Sequence, residues 1–311
     1  MSSNRERNDP KARKGQNFDK KSGFQGKSRD KGPARPVMQD GGRPSKSQSF
    51  QKPKASEDGW VWGLHAVDAA LKNLSRKGPI RLYLTAERQK TLFAGALKRG
   101  DVHQRLTEMA EFSSFLPQGA VHQGIALNAP PLDGEDIDSL MELALNRPTP
   151  VIIMLDQVTD PQNIGAIFRT CAAFGAAGLI MQDRHSPVMQ GVLAKTAAGA
   201  MDMVPFARVT NLSRALEALS ENGFVTLGMA GEAEHSLQAV LEQQVWRGQG
   251  SPRGLVIVMG SEGEGIRRLV AEHCDFLVKI PMPGGFESLN VSHATSIALY
   301  ESLGREIIPA E

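Results

Sequence analysis

From residue 149 onward, short apolar runs alternate with helical patterns, and this limits the fold more than any other feature of the chain. The runs are VIIMLD (151–156), GLIMQ (178–182), MVPFARV (203–209), FVTLGMA (224–230), GLVIVMG (254–260) and FLVKI (276–280). Several are continuously apolar, the pattern of parallel strands buried on both faces. Helix punctuation lies between them. Asn163 caps one helix and Gly175 ends it; Asn211 caps another that runs to about Asn222; IRRLVAEH (266–273) forms a third. The segment 186–200 is looser and contains the small-residue run KTAAGA. Strands and helices alternating across short loops predict an α/β architecture, a parallel sheet with helices on both faces. Ligands of such sheets bind at the carboxyl ends of the strands.

Three Gly-rich loops fall at those ends: DPQNIGAIFRT (160–170), MGSEGEGIRR (259–268) and IPMPGGFESLN (280–290). In the third, Gly284 and Gly285 allow close backbone approach to a ligand or a positive φ. Pro281 and Pro283 stiffen the loop and remove two N–H donors. Ser288 and Asn290 suit a helix N-terminus, where side-chain oxygens cap free amides. Val291, Ala294, Ile297 and Ala298 then share one helical face. The second loop alone could pass for a dinucleotide fingerprint. It lacks the GxGxxG order, and no acidic ribose-binding residue follows a next strand.

The front of the chain is organised differently. Residues 60–128 read as a small α/β unit. A helix at 64–74 carries the stripe Leu64, Val67, Ala70, Leu71 and Leu74; a strand follows at 80–85, a helix near 88–98, a short strand and helix, and a last strand at 124–127. His65 and His122 either contact a substrate or serve as structural histidines; no metal spacing links them. Residues 129–148 open with two prolines and acidic turn residues, and read as a linker with a short helix. Residues 1–57 are too polar to bury a core and read as disordered. Within 1–55 there are 15 Lys/Arg against 5 Asp/Glu, a balance of +10, whereas the rest of the chain carries −8. A basic arm on an acidic body suits a tether for a polyanion such as RNA, with a plain solubilising tail as the alternative. The two cysteines, Cys171 and Cys274, make no disulfide framework or zinc motif and point to a reduced, cytoplasmic protein. The polar N-terminus shows no signal peptide. No apolar run reaches the roughly 18 residues a membrane span needs.

Taken together, the three loops resemble the motifs of the SpoU (TrmH-like) family of RNA ribose 2′-O-methyltransferases, in the knotted SPOUT class. The pattern NxGxxxRT is matched at Asn163, Gly165, Arg169 and Thr170, the second motif at Gly260, Glu262, Gly263 and Gly265, and SLNVSxATxIxLYE nearly throughout 288–301. WVWGLHAV (60–67) and AVHQGI (120–125) resemble the subgroup that methylates a guanosine ribose in large-subunit ribosomal RNA. In that subgroup the front domain is a ribosomal-protein-like RNA-binding module. The resemblance implies a plan of basic tail (1–57), RNA-binding domain (58–128), linker (129–148) and methyltransferase domain with a trefoil knot (149–311). It also implies a homodimer with both sites near the interface, RNA as partner and no membrane. S-adenosylmethionine is the implied methyl donor, held largely through the backbone of Gly260, Ile280 and Leu289, with no metal.

The implied catalytic set is Arg169, Asn163, Glu262, Ser288 and Asn290. Arg169 either serves as base or, staying charged, grips a phosphate and orients the nucleophile. Asn163 orders the loop, contacts the nucleotide or caps the helix. Glu262 holds Arg169 or an RNA group, or complements the helix dipole. Ser288 and Asn290 bond ribose or cofactor, cap the helix, or do both. Phe286, beside Glu287 in a loop where relatives often carry smaller residues, stacks on a base or on the adenine, or closes the loop. Two other activities fit less closely: a transfer-RNA ribose methyltransferase, and a non-catalytic RNA-binding factor for ribosome assembly.

Overall fold

The computed structural model describes residues 59–91, 99–184, 186–187, 189, 191–243, 247–248, 251–252, 254–285 and 288–305. The basic tail, the end of the helix expected near 88–98, Phe286 and Glu287 lie outside the described residues.

The front sheet contains β1 (Trp60–Trp62), β2 (Ile80–Leu84), β3 (Val102–Leu106) and β4 (Ile125–Asn128), in the order β1-β4-β2-β3. Only β2 and β3 pair in parallel. Helix α1 (Leu64–Lys72) follows β1, α2 (Ala86–Thr91) follows β2, and a 3-10 turn (Met109–Ser114) follows β3. The period of two along each strand separates two environments. Trp60, Trp62, Tyr83 and Ala126 join Phe112 and Phe115 in an aromatic cluster, with Trp60 and Phe115 stacked at 4.7 Å. Val61, Leu82, Leu84, Ile125 and Leu127 face the main core. Leu74, expected on the apolar stripe of α1, is 78% exposed, because the helix ends at Lys72 and Asn73 turns to an extended conformation.

Helix α3 (Ile137–Leu145) is capped by Asp136, which accepts from the Ser139 amide, and leads into the main sheet. In chain order this half contains β5 (Val151–Leu155), α4 (Pro161–Phe174), β6 (Gly178–Gln182), α5 (Gly191–Ala197), β7 (Phe206–Val209), α6 (Leu212–Glu221), β8 (Val225–Met229), β9 (His235–Ser236) and α7 (Leu237–Glu242). A two-strand ladder of β10 (Arg247–Gly248) and β11 (Ser251–Pro252) precedes β12 (Leu255–Met259), α8 (Arg268–Ala271), β13 (Phe276–Lys279) and α9 (Val291–Leu299). The seven strands lie in the order β7-β6-β5-β12-β8-β13-β9, and every pair is parallel. Strands β5 and β12 are buried at all positions. Their odd-numbered residues pack under α4 and α9 and their even-numbered residues under α3 and α6. Helices therefore cover both faces, as the continuous apolar runs require.

Several local expectations shift. Helix α4 starts at Pro161 with Asp160 as its cap, so Asn163 lies inside the first turn and is not the cap. Proline suits that first position because its missing N–H would have no helical partner. Strand β7 begins at Phe206 rather than 203, since Ala200–Asp202 form a 3-10 turn. Residues 266–273 yield only the four-residue α8. The looser segment 186–200 contains α5, and β9 and α7 arise in a stretch where no element was expected. On α9, Ile297 is 37% exposed, and Thr295 is interior instead, its hydroxyl donating to the Val291 carbonyl at 2.7 Å.

The front sheet and the main sheet share one core cluster, and two contacts fix their junction. A Cβ on Gly199 would meet Ala69 Cβ at 2.9 Å and His65 O at 3.0 Å, so this glycine is what lets α1 lie against the turn after α5. Beside it, the Arg76 guanidinium grips Asp202 through Nε (2.9 Å) and Nη2 (3.1 Å) and donates Nη1 to the Pro130 carbonyl (2.8 Å). Asn73 adds a bond to the same carboxylate at 3.1 Å.

Candidate active site

The loop after β12 closes on itself. Ser261 N donates to Gly265 O (3.1 Å) and Gly265 N to Ser261 O (3.0 Å), leaving Glu262, Gly263 and Glu264 at the tip. Gly263 and Gly265 take φ of 91° and 68°. Gly260 sits against the returning backbone; a Cβ there would meet Gly265 C at 2.1 Å and Ile266 N at 2.4 Å. Any side chain at 260 would open the loop.

This tip carries Glu262 to the two other loops. Asn290 Nδ2 donates to Glu262 Oε1 at 2.6 Å and to Asn163 Oδ1 at 2.9 Å, and Asn163 Nδ2 donates to Glu262 Oε1 at 3.1 Å. Residues 127 positions apart thus close a three-membered polar cluster. Asn290 is oriented by its second task. As the cap of α9, its Oδ1 accepts from the Ser292 amide (2.9 Å) and hydroxyl (2.6 Å). Capping therefore aims the amide group at Glu262, and the two roles support one another. Glu262 is exposed at the loop tip, and among the described residues its Oε2 has no hydrogen-bond partner. The arrangement presents a fixed carboxylate oxygen to solvent, able to accept from a hydroxyl.

The remaining expected residues lie around this cluster without joining it. Arg169 is exposed on α4 and makes no hydrogen bond or ion pair among the described residues. It lies six residues from Asn163, hence about 9 Å further along the helix and roughly 120° around it. Glu262 does not hold Arg169, contrary to one expectation; its bonds go to the two asparagines. Ser288 is exposed and is not the cap of α9. Leu289 is 38% exposed beside Asn290, and Ile280, just past β13, is half-buried. Nothing lies within 4 Å of a Cβ built on Gly284 or Gly285, so the third loop borders open space.

Other motif residues hold the scaffold. A Cβ on Gly165 would meet Thr196 Cβ at 2.6 Å, so this glycine brings α4 against α5. Thr170 meets Ser296 hydroxyl to hydroxyl at 3.1 Å, joining α4 to α9. Sequence reading missed Asp156, fully buried at the end of β5. It accepts from Arg267 N (2.8 Å) and Nε (2.8 Å) and pairs with Nη2 (2.7 Å). The signal was present: a carboxylate ending an apolar strand is too costly to bury without a cation.

His122 and the two cysteines are built into the packed structure. His122 stacks on Phe112 at 4.2 Å, its Nδ1 accepts from Gly124 N at 3.2 Å, and burial pushes its pKa down. His65 is exposed on α1. Burial pushes both cysteine thiols up to about 12, which makes poor nucleophiles. Among the described residues, no three His, Cys, Asp or Glu side chains are placed to hold a metal, and no helix is long and apolar enough to cross a membrane.

The model of the SpoU rRNA Methylase family matches residues 150–300. A second model, RNA 2′-O ribose methyltransferase substrate binding, matches residues 60–135. The chain is 39% identical over 249 residues to the 23S rRNA (guanosine-2′-O-)-methyltransferase RlmB of Pseudomonas putida, an alignment covering 78% of this chain and 95% of that protein. Against the protein of the same name from Escherichia coli it is 37% identical over 245 residues, covering 78% and 97%. Among solved structures, the SpoU methyltransferase AviRb from Streptomyces viridochromogenes, in complex with AdoMet, aligns with a TM-score of 0.60 at 21% identity, covering 80% of this chain and 90% of that one. An AdoMet-bound rRNA methyltransferase from Sinorhizobium meliloti aligns at 0.62 and 20%, covering 80% and 87%. At such identities these two structures speak for the fold.

Proposed function

The chain belongs to the SpoU rRNA methylase family, and on that premise we propose that it methylates a ribose 2′-hydroxyl of RNA, a guanosine of large-subunit ribosomal RNA, using S-adenosylmethionine. The observation that carries the reading is the Asn163–Glu262–Asn290 cluster, which draws the three motif loops to one point. Residues 58–128 act as the RNA-binding module, supported by the substrate-binding match over 60–135. Residues 129–148 link it to the methyltransferase domain (149–311), and the basic tail (1–57) adds sequence-independent hold on the polyanion.

The residues present fit the donor. Half-buried Ile280 and partly exposed Leu289 offer an apolar seat beside the polar cluster, and the open space at Gly284 and Gly285 leaves room. Gly260 would contribute through backbone groups. When bound, S-adenosylmethionine supplies an electrophilic methyl on a sulfonium whose charge disappears on transfer. A trefoil knot accords with the strand order, in which β12 returns between β5 and β8 and β13 between β8 and β9.

Glu262 accepts from the ribose hydroxyl with its free oxygen, and Asn163 and Asn290 hold that carboxylate still. Alignment of this kind is worth ~7–11 kcal/mol in well-oriented systems. Ser288, exposed one residue before Leu289, bonds the ribose or the donor. Arg169 keeps its proton, grips a phosphate and orients the nucleotide. Its distance around α4 from the cluster supports a homodimer in which Arg169 serves the cluster of the second copy. Exposed Ile297 on α9 and Tyr300, in the π-helical turn (Tyr300–Gly304) that follows it, provide apolar surface for that contact. The protein acts in the cytoplasm, where its RNA is assembled.

The test is methyl transfer from labelled S-adenosylmethionine to ribosomal RNA of cells lacking this protein. Arg169→Ala should abolish transfer and leave donor binding, measured by calorimetry, nearly intact. Mixing it with inactive Glu262→Ala should restore transfer through mixed dimers. Wild-type turnover by Arg169→Ala removes the guanidinium from the mechanism; no recovery on mixing removes the shared site.

A further inference from the structure

A polar cleft of about 520 Å³ lies at the carboxyl ends of β5, β6 and β7, lined by Gln157, Arg184, Thr210, Ser261, Glu264 and Arg267 among others. Its size is that of sites for small molecules or single nucleotides. The cleft is built, not incidental. Buried Asp156 holds Arg267 through Nε and Nη2, leaving Nη1 with no partner among the described residues. Arg184 is exposed and likewise unpaired, because the neighbouring acid, Asp183, is engaged by Arg208 at 3.3 Å. Gln157 is held at φ 57°, a conformation uncommon for its residue type, and such strain collects at functional sites.

The lining carries both signs, and that decides what fits. Two arginines alone would suit any phosphate. Glu264 on the same wall as Arg267 would repel one, so the ligand must offer donors as well as acceptors. Guanine does: its N1–H and amino group form a donor edge that a carboxylate accepts, and O6 with N7 form an acceptor edge for a guanidinium. Adenine places an acceptor at N1, facing the carboxylate. Unstacked RNA bases are read on these edges.

We propose that this cleft is the guanine-reading pocket for the RNA nucleotide under modification, with Glu264 on the N1–H and amino edge, Arg184 on O6 and N7, and Arg267 toward the sugar-phosphate. The five-residue loop places the pocket beside the chemistry: Ser261 and Glu264 line the cleft, while Glu262 joins Asn163 and Asn290. A base seated in the cleft would bring its ribose to that cluster. The assignment rests on the proposed ribose methylation and adds the part that selects the base.

Two measurements on the full-length protein test it. Ligand-observed NMR compares guanosine and adenosine 5′-monophosphate; wild type should prefer the former, and Glu264→Gln or Arg184→Ala should lose roughly tenfold or more of that preference. Methyl transfer to ribosomal RNA whose mapped target guanosine is replaced by inosine or adenosine should fall in wild type and discriminate less in both variants. Donor binding, by calorimetry, reports that the variants are folded. Variants that keep the wild-type preference in both assays overturn the pocket. Selective guanosine monophosphate binding without any transfer upholds the pocket and overturns the methylation reading.

Discussion

Removing the carboxylate of Asp202 should unfasten the front sheet from the main one, and the structure sets the size of the effect. Arg76 and Asp202 side chains are each 3% exposed. Asp202→Ala deletes three acceptor contacts, two from Arg76 and one from Asn73, and leaves a buried guanidinium with the Pro130 carbonyl alone. An uncompensated buried charge of this kind costs about 3–5 kcal/mol. With a urea dependence near 2 kcal/mol per molar, that lowers the unfolding midpoint by roughly 2 M. Intrinsic fluorescence of a Trp246→Phe background reads the front sheet, since the other two tryptophans, Trp60 and Trp62, are buried there. The double variant Arg76→Met/Asp202→Leu should recover most of the loss, because the penalty is the orphaned charge and not the absence of a bond. Added salt should change little, since a pair this buried is weakly screened. A loss under ~1 kcal/mol for Asp202→Ala, or a double variant no better than the single, would refute the reasoning.

Three further outcomes are expected. Gly165→Ala improves helix propensity by ~1 kcal/mol, yet its Cβ would press on Thr196 Cβ at 2.6 Å, so a thermal melt should show net destabilisation of about 1–2 kcal/mol from overpacking; a stabilised variant would mean α4 and α5 separate freely. Asn290→Ser keeps a capping hydroxyl but loses both bonds to Asn163 and Glu262, so stability should change by less than ~1 kcal/mol while methyl transfer falls sharply; unchanged transfer would make the cluster dispensable. His273 donates Nδ1 to Leu269 O at 2.7 Å and Nε2 to Glu217 at 2.9 Å, and these bonds, the first foremost, raise its pKa. The protonated ring is thus favoured by folding: its contribution is complete below the unfolded value of about 6.5 and is lost as pH rises through the higher folded value. Stability of wild type minus His273→Gln, followed by urea unfolding across that window, should decline with pH, and a flat difference would exclude the pairing.

The chain by itself determined the long strands of the parallel sheet, a few helix ends and the α/β class. Those follow from local rules: the apolar runs at 151–156 and 254–260 can lie only inside a sheet, Asn211 and Asn290 cap by bonding amides two or three residues on, and Gly175 adopts φ 71° at the end of α4. Motif resemblance named the residues of the polar cluster but not its wiring. Asn163 suits a cap by residue type, but Asp160, three residues earlier, is the cap because Pro161 sets the first turn. Helical spacing points Ile297 inward, yet Thr295 is buried in its stead, since a threonine can satisfy its hydroxyl within its own helix. What tertiary structure alone decided is non-local and polar: β12 between β5 and β8, Asp156 holding Arg267 across 111 residues, and Glu262 turned to two asparagines while Glu264 lines a cleft. Burial of apolar side chains repeats with the period of the backbone and so leaves a trace in the sequence. A hydrogen bond between distant polar groups has no period, and its partners meet only once the sheet has set where each loop ends.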